Sequence, residues 1–318
     1  MASTPFTTSE QQSPPRRTEE SRERKVPFFV ALIAAVHSVR HRDARIAIAG
    51  VRQALLLLFS LREHISALRV LTHPQSAQLT GKYPLLPFKY LGKYVALGLP
   101  LATRRSIFVT HFQFVQRKFN NSFLASMDSL PITVWQRAIG QRTFDVAIGL
   151  NYPAHREGDL MLIFRMDGVM VYRLFFVFAS GRYFHLQDAT VIVVPAIQGV
   201  PDFERVKLAT RTCRDIQPAH ILMAALGALA EVAGVSTILG LHQARQLYRE
   251  QLRFAYDRFF EIYGPQIAGE KLYLIKVPYI EKPISKIERS HRKRTLRKRA
   301  FKGDARRQVA ETLSRYLV

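Results

Sequence analysis

Four apolar segments decide the fold: TFDVAIGL (Thr143–Leu150), LMLIFRM (Leu160–Met166), VMVYRLFFVF (Val169–Phe178) and ATVIVVPAI (Ala189–Ile197). Each is short and rich in Val, Ile, Leu and Phe, the residues that suit a pleated, buried surface. Only Asp167-Gly168 separates the second segment from the third, and both residues tolerate the positive φ of a type I′ hairpin turn. The pattern therefore predicts a meander of four antiparallel strands.

Helices and strands alternate after this meander. The last segment ends at Ile197-Gln198-Gly199, and a helix with Asp202 as its N-cap is predicted to follow. The predicted elements beyond it are an apolar helix (Ala219–Val232), a strand (Ser236–Leu241), a long amphipathic helix (Gln243–Tyr263) and a strand (Leu272–Val277). The order predicts an α+β fold: a central, mostly antiparallel mixed sheet, made of the four-strand meander plus two later strands and covered by helices.

The composition divides the chain into four regions. We predict a disordered tail (1–25), a helical N-terminal region (26–130), an α+β core (131–280) and a basic C-terminal helical arm (281–318). The apolar run Val26–Val36 follows Arg22, Arg24 and Lys25, which is the order of a secretory signal. It is too short to span a bilayer, so we interpret it as a helix packed on the core and expect no transmembrane segment.

The chain is strongly basic, with 47 Lys and Arg residues against 24 Asp and Glu among 318 residues, which gives a net charge of +23. Such a charge favours an anionic partner: a membrane surface, an acidic protein or nucleic acid. The alternative is a basic composition without a specific ligand. Cys213 is the single cysteine, so no disulfide forms within the chain, and a reducing, cytoplasmic location fits.

Positive charge is concentrated near the C-terminus. The segment Lys286–Arg307 carries eleven basic and two acidic residues, a net charge of +9. Its large apolar residues, Ile287, Leu296 and Phe301, are too few for a continuous packed stripe, so we expect a surface helix. The residues predicted to bind an anionic membrane surface or an acidic partner are Arg292, Lys293, Arg294, Arg297, Lys298 and Arg299. Nucleic acid is the weaker alternative because no recognition motif accompanies the charge.

Several short motifs follow one another in a distinctive order: Ile197-Gln198-Gly199, Thr210, Pro218, Gly234, Tyr256-Asp257 with Phe259-Phe260, and the basic run after Arg289. This order resembles the VirK/YbjX family of bacterial proteins, which is built on a domain of unknown function. In that family Arg and Lys tend to surround the proline, whereas here Gln217 and His220 flank it. The resemblance implies a role in virulence, envelope stress and tolerance of cationic antimicrobial peptides. Together with the concentrated positive charge, it leads us to expect a protein at the inner face of the cell envelope, peripheral to the inner membrane. It supplies no established reaction.

The turn at Gln198-Gly199 is the best candidate for a small-molecule site, because exposed amides at a helix N-terminus bind phosphate or carboxylate. The order of elements around it is similar to the acyl-CoA-dependent N-acetyltransferase fold, where this turn holds the cofactor pyrophosphate. That fold usually has two glycines here, and this chain has only Gly199. The resemblance implies that Gln198 and Gly199 bind acyl-CoA and that His242 is the general base. The alternative is an ordinary tight turn, and whether the chain is an enzyme stays open.

Polar residues cluster at the turns of the meander: His155, Glu157, Asp159, His185 and Asp188. Hairpin geometry brings such residues to one end of a sheet, where they can form a metal site or an acid/base pair. Their spacing reproduces no recognised ligand pattern, and loops are commonly polar because they face solvent. We therefore predict no metal site.

Overall fold

The computed structural model describes residues 61–83, 85–152, 156–251, 254–267 and 269–318. The predicted tail (1–25), the apolar run Val26–Val36 and His155 lie outside the described residues. The described part of the predicted helical N-terminal region (26–130) begins with the helix Leu61–Leu71.

The strands are β1 (Ile132–Ile139), β2 (Arg142–Leu150), β3 (Leu160–Met166), β4 (Val169–Ala179), β5 (Val191–Gly199), β6 (Thr237–Leu241), β7 (Gln266–Ile267) and β8 (Leu272–Lys276). Within the described residues they form one sheet in the order β1-β2-β3-β4-β5-β6-β8-β7. Strands β1 to β5 make an antiparallel meander, β6 runs parallel to β5, and β8 and β7 continue antiparallel. The predicted α+β class with a mostly antiparallel mixed sheet is confirmed.

The helices are α1 (Leu61–Leu71), α2 (Pro74–Lys82), α3 (Leu101–Lys118), α4 (Asn121–Ser129), α5 (Phe203–Thr212), α6 (Pro218–Ala233), α7 (Tyr256–Glu261) and α8 (Arg289–Ser314). Pro74 opens α2 and so separates it from α1, because the residue before a proline avoids the helical region. The predicted N-cap is also confirmed, since the Asp202 carboxylate accepts a hydrogen bond of 2.9 Å from the amide of Arg205.

The hairpin between β3 and β4 has the predicted turn. Asp167 and Gly168 both have positive φ, 53° and 75°, as a type I′ turn requires. The Asp167 carboxylate also accepts hydrogen bonds from the Thr143 amide at 2.9 Å and from Arg142 at 2.6 Å. This turn therefore holds β2 as well as the two strands that it joins.

Strand β1 was not predicted, because its sequence ITVWQRAI carries too many polar residues for an apolar segment. It forms one edge of the sheet, where Val134 and Trp135 are buried while Thr133 and Gln136 are exposed. The buried part of β1 packs against α8, which supplies a partner that lies far away in the sequence.

The prediction of one long helix over Gln243–Tyr263 is wrong. In the described residues this segment contains two short 3₁₀ turns, Gln243–Arg245 and Arg249–Gln251, and then α7. Aromatic packing overrides the helical spacing: Tyr256 and Phe260 are buried, and the Phe260 ring lies against the sheet at Gly240. A continuous helix would carry these rings away from the sheet.

Helices cover both faces of the central strands. Consecutive residues of β5 from Val191 to Ala196 are buried, as are those of β4 from Leu174 to Ala179. Because consecutive strand residues point to opposite faces, burial of the whole run requires cover on both sides. Helix α3 packs on β4, and the apolar helix α6 packs on β3 and β4.

The basic segment forms a helix, as predicted, but α8 also has a buried apolar stripe. Its members are Phe301, Ala305, Val309 and Leu313, spaced four residues apart, and the stripe packs on α6 and β1. The sequence interpretation missed this stripe because most of it consists of a small alanine and of residues beyond Arg307. Helix α8 is therefore part of the core packing.

A buried ion pair joins the N-terminal helical region to the connection between β2 and β3. The Lys89 ammonium lies 2.9 Å from Asp159 and donates hydrogen bonds to the carbonyls of Gly158 and Asn151, at 2.6 and 3.3 Å. The side chains of Lys89 and Asp159 are 7% and 0% exposed. Burial alone would raise the pKa of Asp159, but Lys89 and neighbouring hydrogen-bond donors hold it below its usual value.

Replacement of Lys89 by methionine tests this pair. Methionine keeps much of the length of the side chain but leaves the Asp159 charge buried without its cation, so we expect the free energy of unfolding to fall by about 3–5 kcal/mol. Urea unfolding measures the change. The control is Lys82→Met, which removes a lysine that is 48% exposed and paired with Asp128, and should cost less than about 1 kcal/mol. Similar small losses in both variants would contradict the structural role of Lys89.

Candidate functional site

Strands β5 and β6 separate near their carboxyl ends. Their parallel pairing runs from Ile192 with Ile238 to Val194 with Gly240, while β5 continues to Gly199. The register between β4 and β5 also shifts here. The shift lies between Phe175 and Val177 of β4. Crevices at the carboxyl ends of parallel strands are common ligand sites, because backbone groups there have no strand partner.

A cavity of about 630 Å³ opens at this separation, which we call the turn pocket. Its polar lining comes from Glu157, Arg173 and Gln198, and its backbone lining from residues 197–201. Its aromatic lining residues are Tyr172, Phe203, Tyr248, Phe254 and Tyr256. The volume is within the range of ligand pockets in proteins, and a few polar groups among aromatic side chains are typical of them.

Three polar side chains form a chain of hydrogen bonds in the turn pocket. The Gln198 amide oxygen accepts from Arg173 at 2.7 and 3.1 Å, and the Gln198 amide nitrogen donates to Glu157 at 2.8 Å. Glu157 is buried, and burial raises its pKa against the opposing effects of Arg173 and Gln198. A carboxyl group with a raised pKa beside a cation is a common arrangement at functional sites.

Tyr256 takes the place of a strand partner beyond the end of β6. Its hydroxyl donates to the carbonyl of Ile197 at 2.8 Å and accepts from the amide of Ile197 at 3.0 Å. Burial raises the pKa of Tyr256, so the phenol keeps its proton at neutral pH. Gly199 lies against Tyr172: an added Cβ would come within 2.7 Å of the ring, so a larger residue would have to displace this tyrosine.

The structure therefore brings together Gln198 and Gly199, the two residues predicted to bind a cofactor, with Arg173 and Tyr256, which were not predicted. The signal for Arg173 was present in the sequence: it is the single charged residue within the apolar segment VMVYRLFFVF. Tyr256 appeared in the sequence only within the motif Tyr256-Asp257, which did not place it at this site, because its position depends on the folding of the segment before α7. Glu157 was noted only as one of several polar loop residues.

His242, the predicted general base, follows β6 at the same end of the parallel pair. Its Nδ1 accepts a hydrogen bond from the Ala244 amide at 3.1 Å, and its Nε2 lies 3.1 Å from Asp257. Both ring nitrogens therefore have partners within the chain. Among the described residues that line the turn pocket, His242 is absent.

The other polar residues of the meander turns do not converge. Asp159 pairs with Lys89, and Asp188 accepts hydrogen bonds from Ser236 and Thr237, at 2.8 and 3.0 Å. His185 is exposed. In the part of the chain that the structure describes, no group of three His, Cys, Asp or Glu side chains is arranged to hold a metal ion.

The six basic residues predicted to bind an anionic surface fall into two groups. Four contact the protein itself: Arg299 pairs with Glu281, Arg294 lies 3.0 Å from Asp215, Lys298 donates to the Asp215 carbonyl, and Arg292 donates to the Ile287 carbonyl. The remaining two, Lys293 and Arg297, are exposed and have no ion pair or hydrogen bond with any described residue.

Comparison with protein families assigns the chain. A family model described as protein of unknown function (DUF535) matches residues 51–311, which include the whole sheet, the turn pocket and most of α8. The chain belongs to this family. Neither a curated protein nor a solved structure matches it. Among the described helices, none is both long and apolar enough to cross a membrane.

Tyr256→Phe tests how this DUF535 chain supports the turn pocket. The variant keeps the ring but leaves the amide and carbonyl of Ile197 without their hydrogen-bond partner, so we expect a loss of about 1–3 kcal/mol in the free energy of unfolding. Urea unfolding measures it. The matched control is Tyr248→Phe, at a 41% exposed tyrosine that lines the same pocket, where the loss should stay within about 0.5 kcal/mol. Equal effects of the two variants would contradict the role given to Tyr256.

Proposed function

We propose that this DUF535 protein is an acyl-CoA-dependent acyltransferase. One observation carries the proposal: the turn pocket opens where β5 separates from its parallel neighbour β6 and runs through Gln198-Gly199 into α5. This is the arrangement of meander, turn, helices and later strands that resembles the N-acetyltransferase fold. The fold analogy is supported here by a pocket at the position that the analogy requires.

The cofactor would lie along the end of β5. The Arg173 guanidinium supplies positive charge for the pyrophosphate, next to the backbone of Gln198 and Gly199. Phe203 and Tyr248 are partly exposed at the pocket, with 58% and 41% of their surface accessible, and offer flat apolar surfaces for a purine ring.

Acyl transfer needs a proton acceptor for the attacking amine or hydroxyl. The nucleophile forms a bond to the thioester carbonyl carbon, the carbon–sulfur bond breaks, and the proton from the nucleophile ends on the thiol of CoA. We assign the acceptor role to Glu157 in preference to His242, because Glu157 lines the turn pocket and burial raises its pKa. His242 would first have to leave the Ala244 amide or Asp257.

Isothermal titration of the full chain with CoA, acetyl-CoA and octanoyl-CoA tests the proposal. We expect binding to the wild type and a dissociation constant at least about tenfold higher in Arg173→Gln, since a charge-assisted contact to phosphate contributes about 1.5–3 kcal/mol. Arg182→Gln is the control, because it removes an exposed arginine outside the pocket lining. No heat with any of the three compounds, from a folded sample, would rule out the acyltransferase.

A second proposal concerns where the protein acts, and it is favoured by the outward face of α8. Arg289, Lys293 and Arg297 are exposed there at four-residue spacing, and none of them has an ion pair with a described residue. Leu296 lies beside them and is 51% exposed. We propose that this face binds an anionic membrane surface, in line with the envelope-associated role that the resemblance to VirK/YbjX implies.

Liposome flotation at low and high salt tests the membrane proposal. We expect recovery with anionic vesicles but not with neutral ones, and a loss at high salt because exposed charges are screened within about 8 Å at physiological ionic strength. The triple variant Arg289→Gln, Lys293→Gln and Arg297→Gln should lose about 3 kcal/mol of binding, at roughly 1 kcal/mol for each cation. Equal recovery with neutral vesicles would overturn the proposal, and tighter binding to nucleic acid than to vesicles would favour the alternative partner.

A further inference from the structure

A second concave surface adjoins the turn pocket at Tyr172 and Phe254, which line both. It consists of an inner cavity of about 310 Å³, between α6, the sheet and α8, and an outer depression of about 850 Å³. We call it the basic groove. Both of its parts are lined by His220, Tyr263, Tyr279, Glu281, Arg299 and Lys302.

The inner cavity has an apolar floor, formed by Met223, Ile238, Ile275 and Val277. Glycine residues also line it, one on α6 and one on α8. A Cβ added at Gly227 on α6, or at Gly303 on α8, would meet nothing within 4 Å, so open space lies in front of both backbones. Such an apolar space suits a hydrocarbon chain, because burial of the chain removes apolar surface from water.

The rim of the groove is positively charged. Its cations are Arg258, Lys282, Lys298, Arg299, Lys302 and Arg306, and its carboxylates are Glu281 and Asp215. Arg299 and Lys302 share a single carboxylate, that of Glu281, and Arg306 pairs with Glu231. These three cations therefore keep an excess of one positive charge over their partners. A charged rim over an apolar floor matches a ligand with an anionic head and an apolar tail.

His220 and Tyr263 add a neutral hydrogen-bond donor. The Tyr263 hydroxyl lies 2.6 Å from the Nδ1 of His220, and burial lowers the pKa of His220 to about 4, so the imidazole is neutral at pH 7. If the hydroxyl donates, the imidazole proton is on Nε2. If Nδ1 donates, the hydroxyl proton is available instead. Either way the pair keeps one proton that no described residue accepts.

We propose that the basic groove binds an anionic amphiphile, with a phosphate head on the rim and an alkyl chain in the inner cavity. Lys302 and Arg306 contact the head, and the open space at Gly227 and Gly303 takes the chain. Free phosphate would leave the apolar floor in water, and a neutral amphiphile would leave the rim without a partner. Binding in the groove does not require acyl-CoA in the turn pocket.

Isothermal titration of the full chain with dodecyl phosphate, below its micelle concentration, tests this proposal. Inorganic phosphate and dodecyl maltoside are the comparison probes for the head and the chain alone. We expect dodecyl phosphate to bind at least about tenfold more tightly than either. Lys302→Gln with Arg306→Gln should raise its dissociation constant at least about tenfold, because two charge-assisted contacts are lost.

Two further variants distinguish binding at a specific site from general electrostatic attraction to a basic protein. Arg182→Gln with Arg211→Gln removes the same charge from exposed positions outside the groove lining and should change the dissociation constant by less than about twofold. Gly227→Leu fills the inner cavity without removing charge, and it replaces glycine by a better helix former. It should raise the dissociation constant at least about tenfold. If this variant does not fold, Gly303→Leu tests the same cavity from the opposite wall.

Several results would overturn the proposal. They are the absence of binding by dodecyl phosphate, equal affinity for inorganic phosphate, equal weakening by the Arg182 and Arg211 double variant, and unchanged binding in a folded cavity-filling variant. Equal affinity for dodecyl maltoside would show that the rim contributes nothing. Because no probe contains CoA, these outcomes are independent of the acyltransferase test.

Discussion

Lys89 and Asp159 place two opposite charges in the interior of the protein, where each requires a partner. Lys89 meets this requirement by binding the Asp159 carboxylate together with the carbonyls of Gly158 and Asn151, and Asp159 also accepts hydrogen bonds from tyrosine hydroxyls. These contacts hold the connection between β2 and β3 against the N-terminal helical region. Glu157 lies two residues before Asp159, so the same constraint sets the position from which it reaches Gln198 in the turn pocket.

The turn pocket exists because β5 extends beyond the region where it pairs with β6. Backbone groups exposed by such a separation are costly when they are buried without partners. Tyr256 satisfies both groups of Ile197, and the pocket then begins at the next residues of the strand. The polar chain from Arg173 through Gln198 to Glu157 lies beside it, so the site combines a satisfied backbone with a few oriented polar side chains.

Helix α8 combines three roles on its different faces. The stripe from Phe301 to Leu313 packs on α6 and β1, as the apolar face of a surface helix does. A second face lines the basic groove with Lys298, Arg299 and Lys302. Arg299 and Lys302 form ion pairs with Glu281, and Lys298 donates a hydrogen bond to the Asp215 carbonyl. The third face carries Lys293 and Arg297 into solvent. The basic residues behind the net charge of +9 therefore lie in different environments. The environment of each one depends on its neighbours in the folded structure.

The sequence by itself determined the elements whose physical cause is local. Alternating apolar segments and the Asp167-Gly168 turn predicted the meander, Asp202 marked a helix start, and charge identified α8 as a basic helix. Tertiary structure decided what depends on distant partners: β1 is a strand because α8 covers it, and residues 243–263 do not form one helix because their aromatic side chains pack on the sheet. The turn pocket contains residues of both kinds. Gln198-Gly199 was visible in the sequence, whereas the contact of Tyr256 with Ile197 joins residues 59 positions apart. A pattern in the sequence carries the preferences of neighbouring residues, and the contacts that complete a site form only when the chain has folded.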